Sequence, residues 1–225
     1  MVRKIGFGLL WLGVIAYAFV LAPPNRPDTF ELIKNLSTGE WQGINPLVIA
    51  LFNIMGIWPV IYSAVVLIDG RGQKIPAWLF ATASFAVGAF ALLPYLALRK
   101  PNPGFSGKKN ILLKLFDSRV TGVLLSIATA ILVVYGLQGD GGDFFHQWQT
   151  SRFIHVMSLD FCLLCLLFPA LLGDDMARRG WNNPQLFWLI ALIPLFGPLI
   201  YLSIRPPLPE VSVETIPGKQ QPAPN

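Results

Sequence analysis

Charge is what this sequence has least of. Only 13% of its 225 residues are Asp, Glu, Lys or Arg, against about 25% in an ordinary soluble domain. The shortage is also uneven. Residues 5–25, 41–68, 75–98, 120–139 and 180–204 carry no charged side chain, and 153–173 carries only Asp160. Cysteine is nearly absent: Cys162 and Cys165 are the only two, both within an apolar stretch. Two thiols there say nothing about redox compartment, and no further pair of zinc ligands stands near them. There is also no nucleophile elbow, phosphate loop, dinucleotide fingerprint or helical HExxH. The glycine- and Asp-rich loop around Asp140 lacks the closing Glu of a calcium loop. Nothing in the sequence supports catalysis. The net charge of +5 sits in segments beside apolar stretches, which suits anionic lipid headgroups and not nucleic acid.

What remains is length in apolar runs. The five uncharged runs hold 21, 28, 24, 20 and 25 residues, and about 20 apolar residues cross the hydrocarbon core of a bilayer. Lipid offers backbone groups no partners, so each run is expected to be helical throughout. The predicted fold is all-α, a six-helix transmembrane bundle over residues 1–206. Spans are expected near 5–21, 46–68, 77–98, 120–137, 152–172 and 184–204. Residues 208–225 form a Pro-rich tail expected to be disordered or polyproline-like. Residues 111–116, Ile-Leu-Leu-Lys-Leu-Phe, read as an interfacial helix, and the segment around Phe30, Ile33 and Leu36 reads similarly. Arg3-Lys4, an apolar stretch and Ala16-Tyr17-Ala18 also fit a cleavable secretory signal, but the apolar run continues to Ala22 and an uncleaved helix is expected.

The two halves echo each other. Trp41-Gln42 recurs as Trp148-Gln149, Asn53 is matched by Asp160, and Tyr95-Leu96-Ala97-Leu98-Arg99 is matched by Tyr201-Leu202-Ser203-Ile204-Arg205, at offsets of 107, 107 and 106 residues. Matching Trp, Tyr and Arg also gather at membrane interfaces without duplication. The common offset favours an internal repeat, with repeat one at 1–101 and repeat two at 110–207. Three spans per copy would invert the second, as in many transporters. With six crossings, seven of the 17 basic residues share the N-terminal side and ten lie opposite, which favours an outside N-terminus.

Three residues are candidates for ligand binding or coupling. Asp160 lies in the middle of a span, where an acid costs roughly 2.5–3.5 kcal/mol. It is either a proton- or ion-coupling carboxylate or a hydrogen-bonding group that fixes helix packing. Asn53 is either its counterpart near a pseudo-two-fold axis or interhelical glue. His155 shares a helix face with Ser158, Cys162, Cys165 and Pro169 and could ligate a pigment or haem, but no second axial histidine is placed for it, so no cofactor is expected. Gly122, Ser126 and Ala130 make a small-residue stripe for close helix packing. Pro59, Pro94, Pro194 and Gly197-Pro198 are expected to interrupt their helices.

The closing segments 93–99 and 198–205, with their Leu-Pro…Tyr-Leu…Arg pattern, resemble those of a domain-of-unknown-function family of small multi-spanning bacterial membrane proteins. The stretch from Asn45 to Gly56, with Asn-Pro-Leu and Phe-Asn-Ile-Met-Gly, is similar to relatives in cyanobacteria and chloroplasts. The resemblance implies a bacterial inner membrane or thylakoid setting and supplies no activity or functional residue. The expected function is a non-enzymatic assembly, scaffold or interaction factor whose partners are the lipid bilayer and other membrane proteins. The alternative is a small secondary transporter coupled through Asp160.

Overall fold

The computed structural model describes residues 2–105 and 108–209, so the tail expected at 208–225 lies almost wholly outside the described residues. Eleven helices and no strands are present among those described. They are α1 (Val2–Leu21, its last turn a π-helix from Tyr17 to Leu21), α2 (Thr29–Thr38), α3 (Pro46–Asp69), α4 (Ala77–Val87), α5 (Ala89–Leu98), α6 (Ile111–Asp117), α7 (Arg119–Gly136), α8 (Gly141–Thr150), α9 (Arg152–Arg178), α10 (Pro184–Leu192) and α11 (Phe196–Ile204). Four of them, α1, α3, α7 and α9, are long and apolar enough to cross a membrane.

Two of the six expected spans therefore do not form. Each of these apolar stretches divides into two short helices, of 11 and 10 residues in the first half and 9 and 9 in the second. At 1.5 Å per residue each short helix is about 14–16 Å long, roughly half the hydrocarbon thickness. The pairs fold back as hairpins. If α4 and α5 continued in one direction, Arg99 would lie about 30 Å from the end of α3. Instead, Arg99 Nε donates to Asp69 Oδ2 at 2.7 Å, Gln73 and Lys100 exchange two hydrogen bonds, and the Phe80 and Tyr95 rings lie 5.6 Å apart. The second pair closes the same way, with Trp181 against Tyr201 and Arg205 on Asp175.

The turns fall at Gly88 (φ 51°) and at residues 193–195, where Leu195 is the only non-glycine with positive φ among the described residues (φ 62°). Pro94 and Pro198 are not the break points expected of them; both lie inside the returning helices. Proline at 94 deprives the Phe90 carbonyl of its helical donor, and the Trp11 indole N–H of α1 supplies a replacement at 2.9 Å.

With two long apolar helices and one hairpin of short helices per half, the halves run in the same direction. Asp69 and Asp175, at the ends of α3 and α9, are bridged by Arg178. At the other end, Asn45 before α3 bonds Asp140 and Asp143 beside α8, and Arg152 at the start of α9 bonds the Pro23 and Pro24 carbonyls after α1. The inversion expected of the second half is not seen: α3 and α9 run parallel, with Asp69 and Asp175 at the same end. The Gly122–Ser126 part of the expected stripe packs as anticipated: a Cβ on Gly122 would meet the Leu202–Ser203 backbone at 2.5 Å, and Ser126 Oγ lies 3.3 Å from Ser203 Oγ. Ala130 faces outward.

Candidate functional site

The ends of α3, α5, α9 and α11 converge on one buried ion cluster. Tyr95 Oη and Arg99 both donate to Asp69, and Tyr201 Oη and Arg205 both donate to Asp175. In each half the tyrosine stands 26 residues, and the arginine 30, after its aspartate. Arg178 joins the two sets, Asp174 meets Arg99, and Arg179 bonds Asp175 at 2.9 Å and Asp117 at 2.6 Å. Asp69, Asp175, Arg99 and Arg205 are all at most 1% exposed. Pairs this dry gain little net stability over apolar packing, but removing one partner strands a charge. The cluster fixes where each hairpin returns.

A cavity of about 670 Å³ lies in the other half of the bundle, well within the range of small-molecule sites. It runs from Asn25, Thr29 and Arg152 down to Gly88 and Asp160, between α1, α3, α9 and the tip of the first hairpin. Its walls are aromatic and apolar: Trp11, Phe19, Phe52, Phe85, Phe90 and Phe153, with Met55 and Met157. Eight residues separate Arg152 from Asp160, so the carboxylate sits about 12 Å below the mouth.

Asp160 is 6% exposed. Its Oδ1 accepts the Ala89 backbone N–H at 2.9 Å, capping the first turn of α5. Its Oδ2 lies over Gly88, where a Cβ would be only 1.7 Å away. Glycine is required there twice, for the positive φ and for the close approach. No hydrogen bond reaches Oδ2 among the described residues, so this oxygen remains free to receive one from a molecule in the cavity.

The other sequence candidates do not join Asp160. Asn53 donates to the Ile49 carbonyl of its own helix at 2.8 Å and is not part of the cavity wall. His155 has both ring nitrogens engaged, Nε2 with Tyr17 Oη at 2.8 Å and Nδ1 with the Trp148 carbonyl at 3.0 Å, and its ring stacks on Trp148. Pigment or haem ligation would cost it one of those partners. Cys162 and Cys165 are free thiols, and no group of three metal-ligating side chains occurs among the described residues. The sequence reading overlooked the aspartates that hold the recurring Tyr and Arg, although their equal spacings of 26 and 30 were there to be found. Compared with family models, curated proteins and solved structures, the chain matches none.

Proposed function

We propose that this is a non-enzymatic integral membrane protein, a duplicated unit of two spans and one half-depth hairpin, that holds a small apolar or amphiphilic molecule and serves as an assembly or interaction factor around it. The observation that carries the reading is the aromatic cavity ending on a buried carboxylate with one unused oxygen. A fitting ligand presents an apolar body to the rings and a single hydroxyl or amine to Asp160 Oδ2, since a buried acceptor rewards a donor and penalises a molecule that lacks one. Parallel repeats related by an axis along the membrane normal are one of the two known arrangements of duplicated membrane proteins.

Transport coupled through Asp160 is the weaker alternative. A path through the opposite end must part the buried ion cluster, and stripping one partner from a buried pair costs about 3–5 kcal/mol. Asp160 is also committed to capping α5. Charge distribution favours one orientation. Of the 16 Lys and Arg among the described residues, only Arg26, Lys34 and Arg152 lie at the cavity end. The other 13 lie at the ion-cluster end, which the positive-inside rule puts inside, replacing the ten-to-seven margin for an outside N-terminus. The resemblance of the Asn45–Gly56 stretch to proteins of cyanobacteria and chloroplasts makes a bacterial inner membrane or thylakoid the setting to examine first. Exposed apolar side chains on α7, such as Leu124 and Ile131, face lipid or other membrane proteins.

The test is native mass spectrometry of protein purified in mild detergent, comparing wild type with Asp160→Asn. The amide keeps an acceptor for Ala89 but puts an NH2 donor where Oδ2 faces the cavity. Wild type is expected to retain a molecule of a few hundred daltons, and the variant to fold and retain about tenfold less, the loss of one charge-assisted hydrogen bond of about 1.5 kcal/mol. An empty wild-type protein overturns the reading, as does uptake into proteoliposomes that Asp160→Asn abolishes.

A further inference from the structure

The ion-cluster end carries a second cavity, of about 500 Å³, between the start of the first hairpin and α6. Its walls include Arg71 and Lys74 and no acidic residue. Arg71 spends one amine on the Lys108 carbonyl in a long contact of 3.3 Å, and Lys74 is exposed, with no hydrogen bond or ion pair among the described residues. The floor is apolar, made by Leu67, Ile75 and Leu113, and Trp78 stands at the rim 59% exposed. On the neighbouring α6, Ile111, Leu112 and Leu115 are exposed at 89, 48 and 58%. A short helix with bare apolar side chains beside a bare tryptophan marks the boundary between headgroups and acyl chains.

The geometry points to a binding site for an anionic phospholipid, its headgroup phosphate between Arg71 and Lys74 and the first part of an acyl chain along Leu67, Ile75 and Trp78. Two cations without a neighbouring acid select negative charge. The apolar floor selects a lipid over a soluble phosphate, which would leave that floor uncovered. Basic pockets beside spanning helices on the inner side are the usual place for such lipids. The inference is independent of the larger cavity and its ligand, because it rests on other residues at the other end of the bundle.

The experiment is reconstitution of the full chain into mixed micelles of phosphatidylglycerol and phosphatidylcholine, with retained lipids counted by native mass spectrometry. Wild type is expected to retain phosphatidylglycerol preferentially. Each basic residue removed is expected to weaken that preference about fivefold, so the double variant R71A/K74A loses about 25-fold. Lys74→Arg keeps the preference, and Lys114→Ala, an exposed cation on α6 outside this cavity, leaves it unchanged. The assignment is overturned if wild type takes both lipids equally, if R71A/K74A keeps its preference, or if millimolar inorganic phosphate displaces the lipid.

Discussion

The two hairpins share a base and differ at the tip. At the base each half repeats the same bonds, Tyr95 and Arg99 on Asp69, Tyr201 and Arg205 on Asp175. At the first tip a glycine turns under a carboxylate from α9, and the free oxygen of that carboxylate opens onto a cavity. At the second tip Leu195 makes the turn with a strained positive φ, and the group from α9 beside its backbone N–H is the Cys165 thiol. What recurs holds the hairpins in place; what differs is where a ligand can be received. The candidate site lies where the two halves differ.

The largest expected effect tests the shared base. Asp175→Asn leaves Arg205 buried without a carboxylate and Arg179 with Asp117 alone, and Asp69→Asn leaves Arg99 with Asp174 alone and Arg178 with Asp175 alone. Each is expected to cost about 3–5 kcal/mol, read as a lower thermal midpoint in detergent and poor recovery of monodisperse protein. If one variant collapses while the other is unaffected, the two bases are not equivalent.

A smaller effect sharpens the contrast at the tips. Gly88→Ala puts a Cβ against Asp160 and fixes a side chain at positive φ, for a loss of about 2–3 kcal/mol. Asp160→Ala on its own removes the cap on α5. The double variant is expected to be more stable than the sum of the single losses, because the clash disappears with the carboxylate. Strict additivity in thermal unfolding would mean that Gly88 and Asp160 do not meet.

The smallest effect lies outside the spans. Burial alone would raise the Asp117 pKa, but Arg179 first, then Lys109 and the Leu208 backbone N–H, outweigh it and hold the carboxyl below its ordinary range. A depressed folded value means that stability is fully present above the unfolded value of about 3.9 and fades as pH falls through the folded one. Asp117→Asn is expected to cost most at neutral pH and to flatten the acid limb of thermal stability below about pH 4, so that the two curves converge as pH falls. An acid limb unchanged in Asp117→Asn would assign it to other carboxylates.

Apolar runs and their flanking residues were legible without coordinates, and so were the four long apolar helices, the short helices at 29–38 and 111–117 and the recurrence of Tyr and Arg. The hairpins were not. Hydropathy measures transfer into lipid and is blind to direction, so 24 uncharged residues at 75–98 read alike as one full crossing or as two half-depth helices. The local clue was weak: Gly88 is the only glycine in that run, and Pro94, the more conspicuous helix breaker, frees only the Phe90 carbonyl, which Trp11 satisfies. Asp160 was legible as a buried polar group, but its partner, a backbone N–H on another helix, has no sequence signature. Asn53 matched it in position and not in role, since a carbonyl acceptor on its own helix satisfies the Asn53 amide without tertiary help.

Both hairpins enter from the same side and stop halfway. Beside the ion cluster the hairpins therefore add four short helical segments to the four long apolar helices. In a bilayer crossed by the four long helices those extra segments would crowd one leaflet only, and a protein built so is expected to prefer a membrane that bends away from that leaflet.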